Sequence, residues 1–445
     1  MIFEEFLGIP YQIVEESRDD TLIEVGDKKK LHISDQLLSV SQDVWLTPES
    51  LPKEPLERCS VPVQFSECLF NETTLPILYH EKINNGGFFI ITENSVHIKI
   101  DIFGSVFFML TLYEEYVDKK RDKHGRYYSR ASISYREKFL LRPIVDEMVE
   151  LLWASLKLLW PNMQRVEKQY SLVLTHDVDT PAEYYYLGYR TIAKRMIGDV
   201  VKRKSPRQAL FRLKRSMQSK RSDAEKDPFN TFSYIMDQSE KYNCKSSFYF
   251  INYQSEGGNR ERYSLDSPFI RKTIREISSR GHEIGLHTSY NTYKNCDLIK
   301  REFQYLRAVC EQENVHQELW GGRQHYLRWS HETFDYWDFA GLSYDSTLSY
   351  ADHSGFRCGT SREFTVFSLE SKKQLMLKER PLIAMECSII DDAYMGLGNG
   401  TEALQVFMRL KDVCEKYSGN FVLLWHNDRF TRPAERHLYK TLISS

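Results

Sequence analysis

Six segments of this chain place an acid, an imidazole or a guanidinium directly after a short apolar run. They are Thr175-His176-Asp177-Val178-Asp179, His287-Thr288-Ser289, Arg323-Gln324-His325, Asp345-Ser346, Asp391-Asp392 and His426-Asn427-Asp428. Asp177 and Asp179 flank one apolar residue, so in extended backbone both carboxylates point to the same side. One member of such a pair can bind a divalent cation while the other serves as general base. His287 has the ligand chemistry for zinc, nickel, cobalt or iron. Arg323 can hold a carboxylate in place and keep it ionised, and His426 can protonate a leaving group. Metal, base and acid together suit hydrolysis of an amide or ester through a tetrahedral intermediate. A lone His after a strand is more often structural, and an Asp there often only caps the next helix; the joint pattern carries the inference.

The elements that must position these residues have a regular beat from about Tyr170 onward. Apolar strand-like runs recur at Leu172–Thr175, Ser247–Ile251, Glu283–Leu286, Glu318–Gly321, Leu342–Tyr344, Leu382–Cys387 and Phe421–Trp425. Between them lie helical segments at Pro268–Arg280, Asp297–Glu313, Ser330–Ala340 and Thr401–Tyr417, and Gly281, Gly341 and Gly419 stand as stops. Strand–helix alternation implies parallel βαβ units, whose strand carboxyl ends meet at one face. Seven strands approach a barrel. The first 165 residues read differently, as a mixed α/β unit. Strands are expected at Phe88–Ile91 and Val96–Ile100, and helices at Val106–Tyr116 and Pro143–Trp160.

The composition is that of a folded chain: 445 residues, 41% hydrophobic, 27% charged, with a formal net charge of -2. That excludes a disordered chain and a strong overall field for nucleic acid. No apolar run approaches the ~20 residues of a membrane span. Eight cysteines without a Cys-x-x-Cys pair argue against a zinc cage or a dense disulfide framework. The amino terminus lacks the basic and apolar regions of a secretory leader, so a cytoplasmic location is expected. One stretch departs from the rest. Residues 190–226 carry 13 Lys/Arg against 3 Asp/Glu, with Ile192, Met196, Ile197, Val200, Val201, Leu210, Phe211, Leu213 and Met217 interleaved. It reads either as a solvated insertion or as a basic amphipathic element for an anionic membrane surface, which would make the protein peripheral at the inner membrane face.

At these motifs the chain resembles the polysaccharide deacetylases (carbohydrate esterase family four), from roughly Ser171 to Phe430. Their first motif, Thr-Phe-Asp-Asp-Gly, stands here as Thr175-His176-Asp177-Val178-Asp179. Gly281-His282-Glu283-Ile284-Gly285-Leu286-His287-Thr288 matches the second closely. Tyr344-Asp345-Ser346 matches the turn that follows the third motif, Leu424-Trp425-His426 the closing motif, and Asp391 the acid near the penultimate strand. Two departures stand out. The family's second metal histidine falls at Asn291, and its Arg-x-Pro becomes Arg323-Gln324-His325.

The resemblance implies a distorted (β/α)7 barrel over residues 166–445, preceded by the mixed α/β domain of residues 1–165. It implies Asp177 as base, His426 as acid and Arg323 as their support. A divalent metal, zinc before nickel, cobalt or iron, would be held by Asp179, His287 and a third ligand, either His325 or Asn291. Tyr326, Trp425, Asp345 and Asp391 are the expected substrate-binding residues, and Tyr290 and Trp329 are further aromatics able to stack on sugar rings. The expected activity is removal of acetyl groups from an N-acetylated sugar or polysaccharide precursor. The alternatives are hydrolysis of another small linear or cyclic amide, or silent glycan binding through loss of metal at Val178 and Asn291. The expected partner is carbohydrate, with no nucleic acid.

Overall fold

The run expected at Leu172–Thr175 is the start of the strand that organises the larger sheet. In the computed structural model, residues 1–26, 28–83, 87–252 and 263–444 are described. The chain divides into two compact units, neither of them continuous in sequence. One comprises Met1–Ser171, Leu348–Ile383 and Arg409–Phe421; the other comprises Leu172–Thr347, Ala384–Met408 and Val422–Ser445.

The first unit is mixed α/β. Strands β1 (Asp20–Glu24), β2 (Lys30–Ser34), β5 (Phe89–Ile91) and β6 (Ser95–Ile98) form a sheet in the order β1-β2-β6-β5, and β3 (Glu57–Ser60) pairs with β4 (Thr74–Ile77). The alternation read at Val96–Ile100 is real, with Val96 and Ile98 buried and His97 half-buried. The single helix expected over Val106–Tyr116 is two, Ile102–Leu110 and Tyr113–Val117, broken where Leu112 adopts φ +53°. The helix Ile144–Leu159 buries Met148, Leu151, Leu152, Leu156 and Leu159. Its Asp146 is also buried, accepting from Thr360 Oγ1 (2.6 Å) and Ser361 N (3.0 Å) of the later segment of the unit. That segment carries the antiparallel hairpin β12 (Phe364–Ser368) and β13 (Lys373–Glu379).

The second unit holds the seven remaining strands: β7 (Ser171–Val178), β8 (Ser246–Ile251), β9 (Glu283–Thr288), β10 (Gly321–Gln324), β11 (Tyr344–Asp345), β14 (Ala384–Met385) and β15 (Asn420–Leu424). They run in the order β11-β10-β9-β8-β7-β15-β14. The recorded ladders among them are parallel. This is the seven-stranded α/β arrangement of the expected distorted barrel. β8 is buried along its whole length, as a strand covered on both faces must be. Helices Pro268–Ser279, Cys296–Gln312, His331–Ala340 and Thr401–Lys416 fill the connections, each within two residues of the sequence reading, the last of them divided between the units after Met408. Gly281 (φ +79°) and Gly341 (φ +84°) take the left-handed conformation that ends a helix.

One strand lies three residues later than expected. β10 is Gly321–Gln324, not Glu318–Gly321, so Arg323 and Gln324 stand inside the strand. Two glycines read as a turn, but here they let neighbouring strands approach. A Cβ on Gly322 would sit 1.8 Å from the Leu286 carbonyl oxygen, and one on Gly321 would sit 2.4 Å from the Tyr344 ring.

Candidate metal and acid–base site

Register decides which side chains meet. Parallel pairing sets Asp177 beside Tyr249 on β8, His287 beside Arg323 on β10, and Gly322 beside Asp345 on β11. On the other flank, Trp425 N donates to the Thr175 carbonyl (3.0 Å), which brings the turn after β15 to the end of β7. The segments carrying Asp177, Asp179, His287, Arg323, His325 and His426 therefore share one end of the sheet.

Asp177 is buried and Arg323 has no exposed surface. Arg323 Nη1 donates to Asp177 Oδ1 (2.8 Å) and Thr175 Oγ1 (3.1 Å), while Nε and Nη2 donate to the Ser346 carbonyl (2.7 Å) and Oγ (3.0 Å). Its guanidinium also lies over the Tyr249 ring, 5.1 Å from the centroid. With every edge engaged, the guanidinium has one orientation. Burial pushes the Asp177 carboxyl up, but His287, Arg323 and His426 together outweigh it and hold the group below the usual aspartate value.

Asp179, His287 and His325 form a second cluster, with one ligand atom from each within 4.8 Å of the others. His287 Nε2 stands 3.3 Å and His325 Nε2 3.5 Å from Asp179 Oδ1. Tetrahedral zinc with bonds of about 2.0–2.1 Å separates its donors by about 3.3–3.4 Å, so this donor set fits such a cation. His287 Nδ1 is 2.8 Å from the Arg323 carbonyl oxygen. Donation there fixes the tautomer and turns the Nε2 lone pair toward the cluster. Asn291 is exposed, four residues beyond His287. Of the two candidates for third donor, His325 is the one in the cluster.

His426 approaches the same cluster, its Nε2 3.9 Å from Asp179 Oδ2. Its partner on the other side is Glu386, fully buried at the end of β14. Glu386 Oε1 lies 2.5 Å from His426 Nδ1 and accepts from His426 N (3.0 Å). Burial alone would depress the imidazole, yet Glu386 and Cys387 raise it well above the usual histidine value. The Cys387 thiol, 3.9 Å from His426 Nδ1, is pushed up to about 12, chiefly by burial. A thiol so protonated is a poor ligand. Although Glu386, Cys387 and His426 also lie within metal-binding distance of one another, the geometry is that of a carboxylate orienting an imidazole.

Sequence reasoning missed Glu386. It ran the sixth strand to Cys387 and looked for the acid beyond it; ending the strand at Met385 places Glu386 directly after it. Asp391 is paired with Arg429 (2.7 Å), which in turn holds Glu435 (2.6 Å). Trp425, expected to contact substrate, has no exposed surface. Its ring is stacked on Phe407 and edge-on to Tyr439. Trp329 is likewise buried. Asp345, also expected to contact substrate, is enclosed, accepts from Thr347 Oγ1, and is raised by burial to about 7. Tyr326 does face outward, 47% exposed at φ +63°, with its ring edge-on to His325 and Tyr290. Tyr290 has Arg328 over its ring at 3.9 Å. His176 is a core residue, set between the Trp425 carbonyl and Ser246 Oγ and lowered by burial to about 4.

Comparisons with known proteins each cover part of the chain. Residues 1–161 match a family model described as a family of unknown function (DUF7033). No curated protein matches the chain. Among solved structures, similarity extends to a protein of Mycobacterium smegmatis assigned as a polysaccharide deacetylase, at 16% identity and a TM-score of 0.40 over 62% of this chain and 83% of that one. A protein of Pseudomonas aeruginosa PAO1 with the same assignment is 12% identical at a TM-score of 0.36, over 62% and 83%. One of Parabacteroides distasonis assigned as a glycoside hydrolase/deacetylase is 11% identical at 0.37, over 62% and 65%. Among the described residues, no helix is long and apolar enough to cross a membrane.

Proposed function

We propose that the protein is a metal-dependent deacetylase acting on an N-acetylated sugar or polysaccharide precursor. The observation that carries this reading is the arrangement around Asp179: an arginine-held carboxylate on one side, a carboxylate-held imidazole on the other, and two further imidazoles at ligand spacing.

Asp179, His287 and His325 would hold the cation, zinc being the best match to a nitrogen-rich donor set of this spacing. Such a cation lowers the pKa of water and polarises an acyl oxygen. Asp177, kept ionised by Arg323, takes the proton of the attacking water. Its bond to Arg323 occupies Oδ1 and leaves Oδ2, 3.6 Å from His287 Nε2, toward the cluster. His426 carries a proton on Nε2 because Glu386 stabilises the imidazolium from the Nδ1 side. It gives that proton to the amine as the carbon–nitrogen bond breaks. Tyr326, 47% exposed, is the most open of the aromatics expected to contact the sugar. The substrate class rests on the resemblance of the motifs.

The test is acetate release from a panel of N-acetylated glycans by the metal-loaded chain. Asp177→Asn should abolish turnover and keep the metal. A protein that binds no transition metal and releases no acetate from any member of the panel would overturn the reading. Loss of metal in Asp177→Asn would show that Asp177 is a ligand and not the base.

A further inference from the structure

The basic stretch noted in the sequence folds as a helical hairpin, Tyr189–Val201 and Pro206–Arg221, inserted between β7 and β8. What it buries is unusual. The inward face is formed by Ile192, Asp199, Ala209, Ser216 and Ser219. Asp199 holds the hairpin together, accepting from Arg203 Nη1 (2.6 Å) and Arg212 Nε (2.7 Å), and Lys220 Nζ donates to the Tyr185 and Leu187 carbonyls (2.9 and 2.8 Å). Apart from Ile192, which packs with Tyr184, Leu187 and Met196, small and polar side chains do the packing.

The large apolar side chains point outward. Ile197 (63% exposed), Val201 (68%), Leu210 (68%) and Phe211 (55%) are the most open, with Val200, Leu213 and Met217 beside them. At 100° per residue, Tyr189, Ala193, Ile197, Val200 and Val201 fall within an arc of about 120°, together with Arg190 and close to Lys194. On the second helix Leu210, Leu213 and Met217 share an arc of about 120° with Arg207, Lys214 and Arg221. Among the described residues, Arg190, Lys194, Arg207, Lys214 and Arg221 form no ion pair, and the acid within the two helices, Asp199, is taken by Arg203 and Arg212.

A solvated charged face would put its apolar residues inside. A protein–protein interface core is depleted in lysine. Apolar side chains framed by unpaired Lys and Arg on one surface match a bilayer interface, where acyl chains take the first and anionic headgroups the second. We infer that the hairpin 189–221 is a docking element for an anionic lipid surface, seated in the interface without spanning it. This reading stands apart from the hydrolytic site, since each can fail alone.

The experiment is co-sedimentation of the full chain with vesicles of phosphatidylcholine alone or with about 30 mol % phosphatidylglycerol. Binding should require the anionic lipid and fall with added salt. Lys194→Gln with Lys214→Gln should weaken partitioning about 25-fold, at about fivefold per basic residue. Val201→Ser with Phe211→Ser, both exposed and outside the hairpin's packing, should weaken it about tenfold while leaving circular dichroism and melting unchanged. Equal partitioning on both vesicle types, no partitioning at all, or indifference to both double variants would overturn the proposal. A concentration-dependent dimer in solution that Val201→Ser/Phe211→Ser abolishes would assign the surface to a second copy of the chain instead.

Discussion

The Asp177–Arg323 pair is the tightest constraint on the candidate site and gives a quantitative test of it. Arg323→Met keeps most of the side-chain volume and removes four donated hydrogen bonds, leaving Asp177 buried without its guanidinium. Breaking a buried ion pair from one side costs about 3–5 kcal/mol, most of it the penalty of the orphaned charge. Asp177→Asn in the same background removes that charge. The double variant should therefore cost less than the two single changes added together, with a coupling of about 2 kcal/mol or more. Urea unfolding of the four proteins, compared at equal m-values, measures it. The pH dependence fixes the sign. Asp177 is held below the usual aspartate value, so its contribution is present above the unfolded value of about 3.9 and is lost as pH falls through the folded one. The coupling should be level through neutral pH and shrink in acid. Additive costs, or a coupling that grows in acid, would refute the claim that Arg323 acts on the ionised carboxylate.

Glu386→Gln keeps the hydrogen bond to His426 Nδ1 but removes the charge, so burial should pull the imidazole down. The alkaline limb of kcat/KM should move to lower pH and the rate fall by about 10²–10⁴; an unmoved limb would deny Glu386 that role. His325→Ala and Asp179→Asn should each lower bound metal, counted by atomic emission on the isolated protein, whereas Asn291→Ala should leave it as it was. Retention by His325→Ala with loss in Asn291→Ala would reverse the choice of third ligand.

Much of the site was legible because catalytic residues at strand ends are marked by a change from apolar runs to ionisable side chains. The two departures from the family pattern were legible too: a histidine two residues after Arg323 is visible in the sequence, and the fold brings its ring within 3.5 Å of Asp179. The misreadings share a cause, the inability of short runs to report their own ends. β10 lies three residues beyond the expected run, and the neighbouring Leu286 carbonyl and Tyr344 ring show why nothing larger than Gly321 and Gly322 fits there. Glu386 was absorbed into its strand because β14 is two residues long. Trp425 reads as a sugar platform in the sequence because an aromatic beside a strand-end histidine looks the same whether it faces solvent or core. The inverted faces of the hairpin 189–221 were hidden for a related reason, since periodicity gives an apolar stripe without saying which way it points.

The interleaving of the two units along the chain sets a condition on biosynthesis. The first unit needs residues 348–383 and 409–421, and the second needs residues to the end of helix Pro433–Ser444. An N-terminal domain ordinarily folds while the rest is still being translated. Here the ribosome must deliver more than 420 residues before either unit has all its parts. A nascent chain in that interval leaves helix Ile144–Leu159 without its late-arriving partners at Gly359, Thr360 and Ser361, and chaperone demand should peak late in translation. A fragment cut at residue 165, however natural that boundary looks, would leave Asp146 without Thr360 and Ser361.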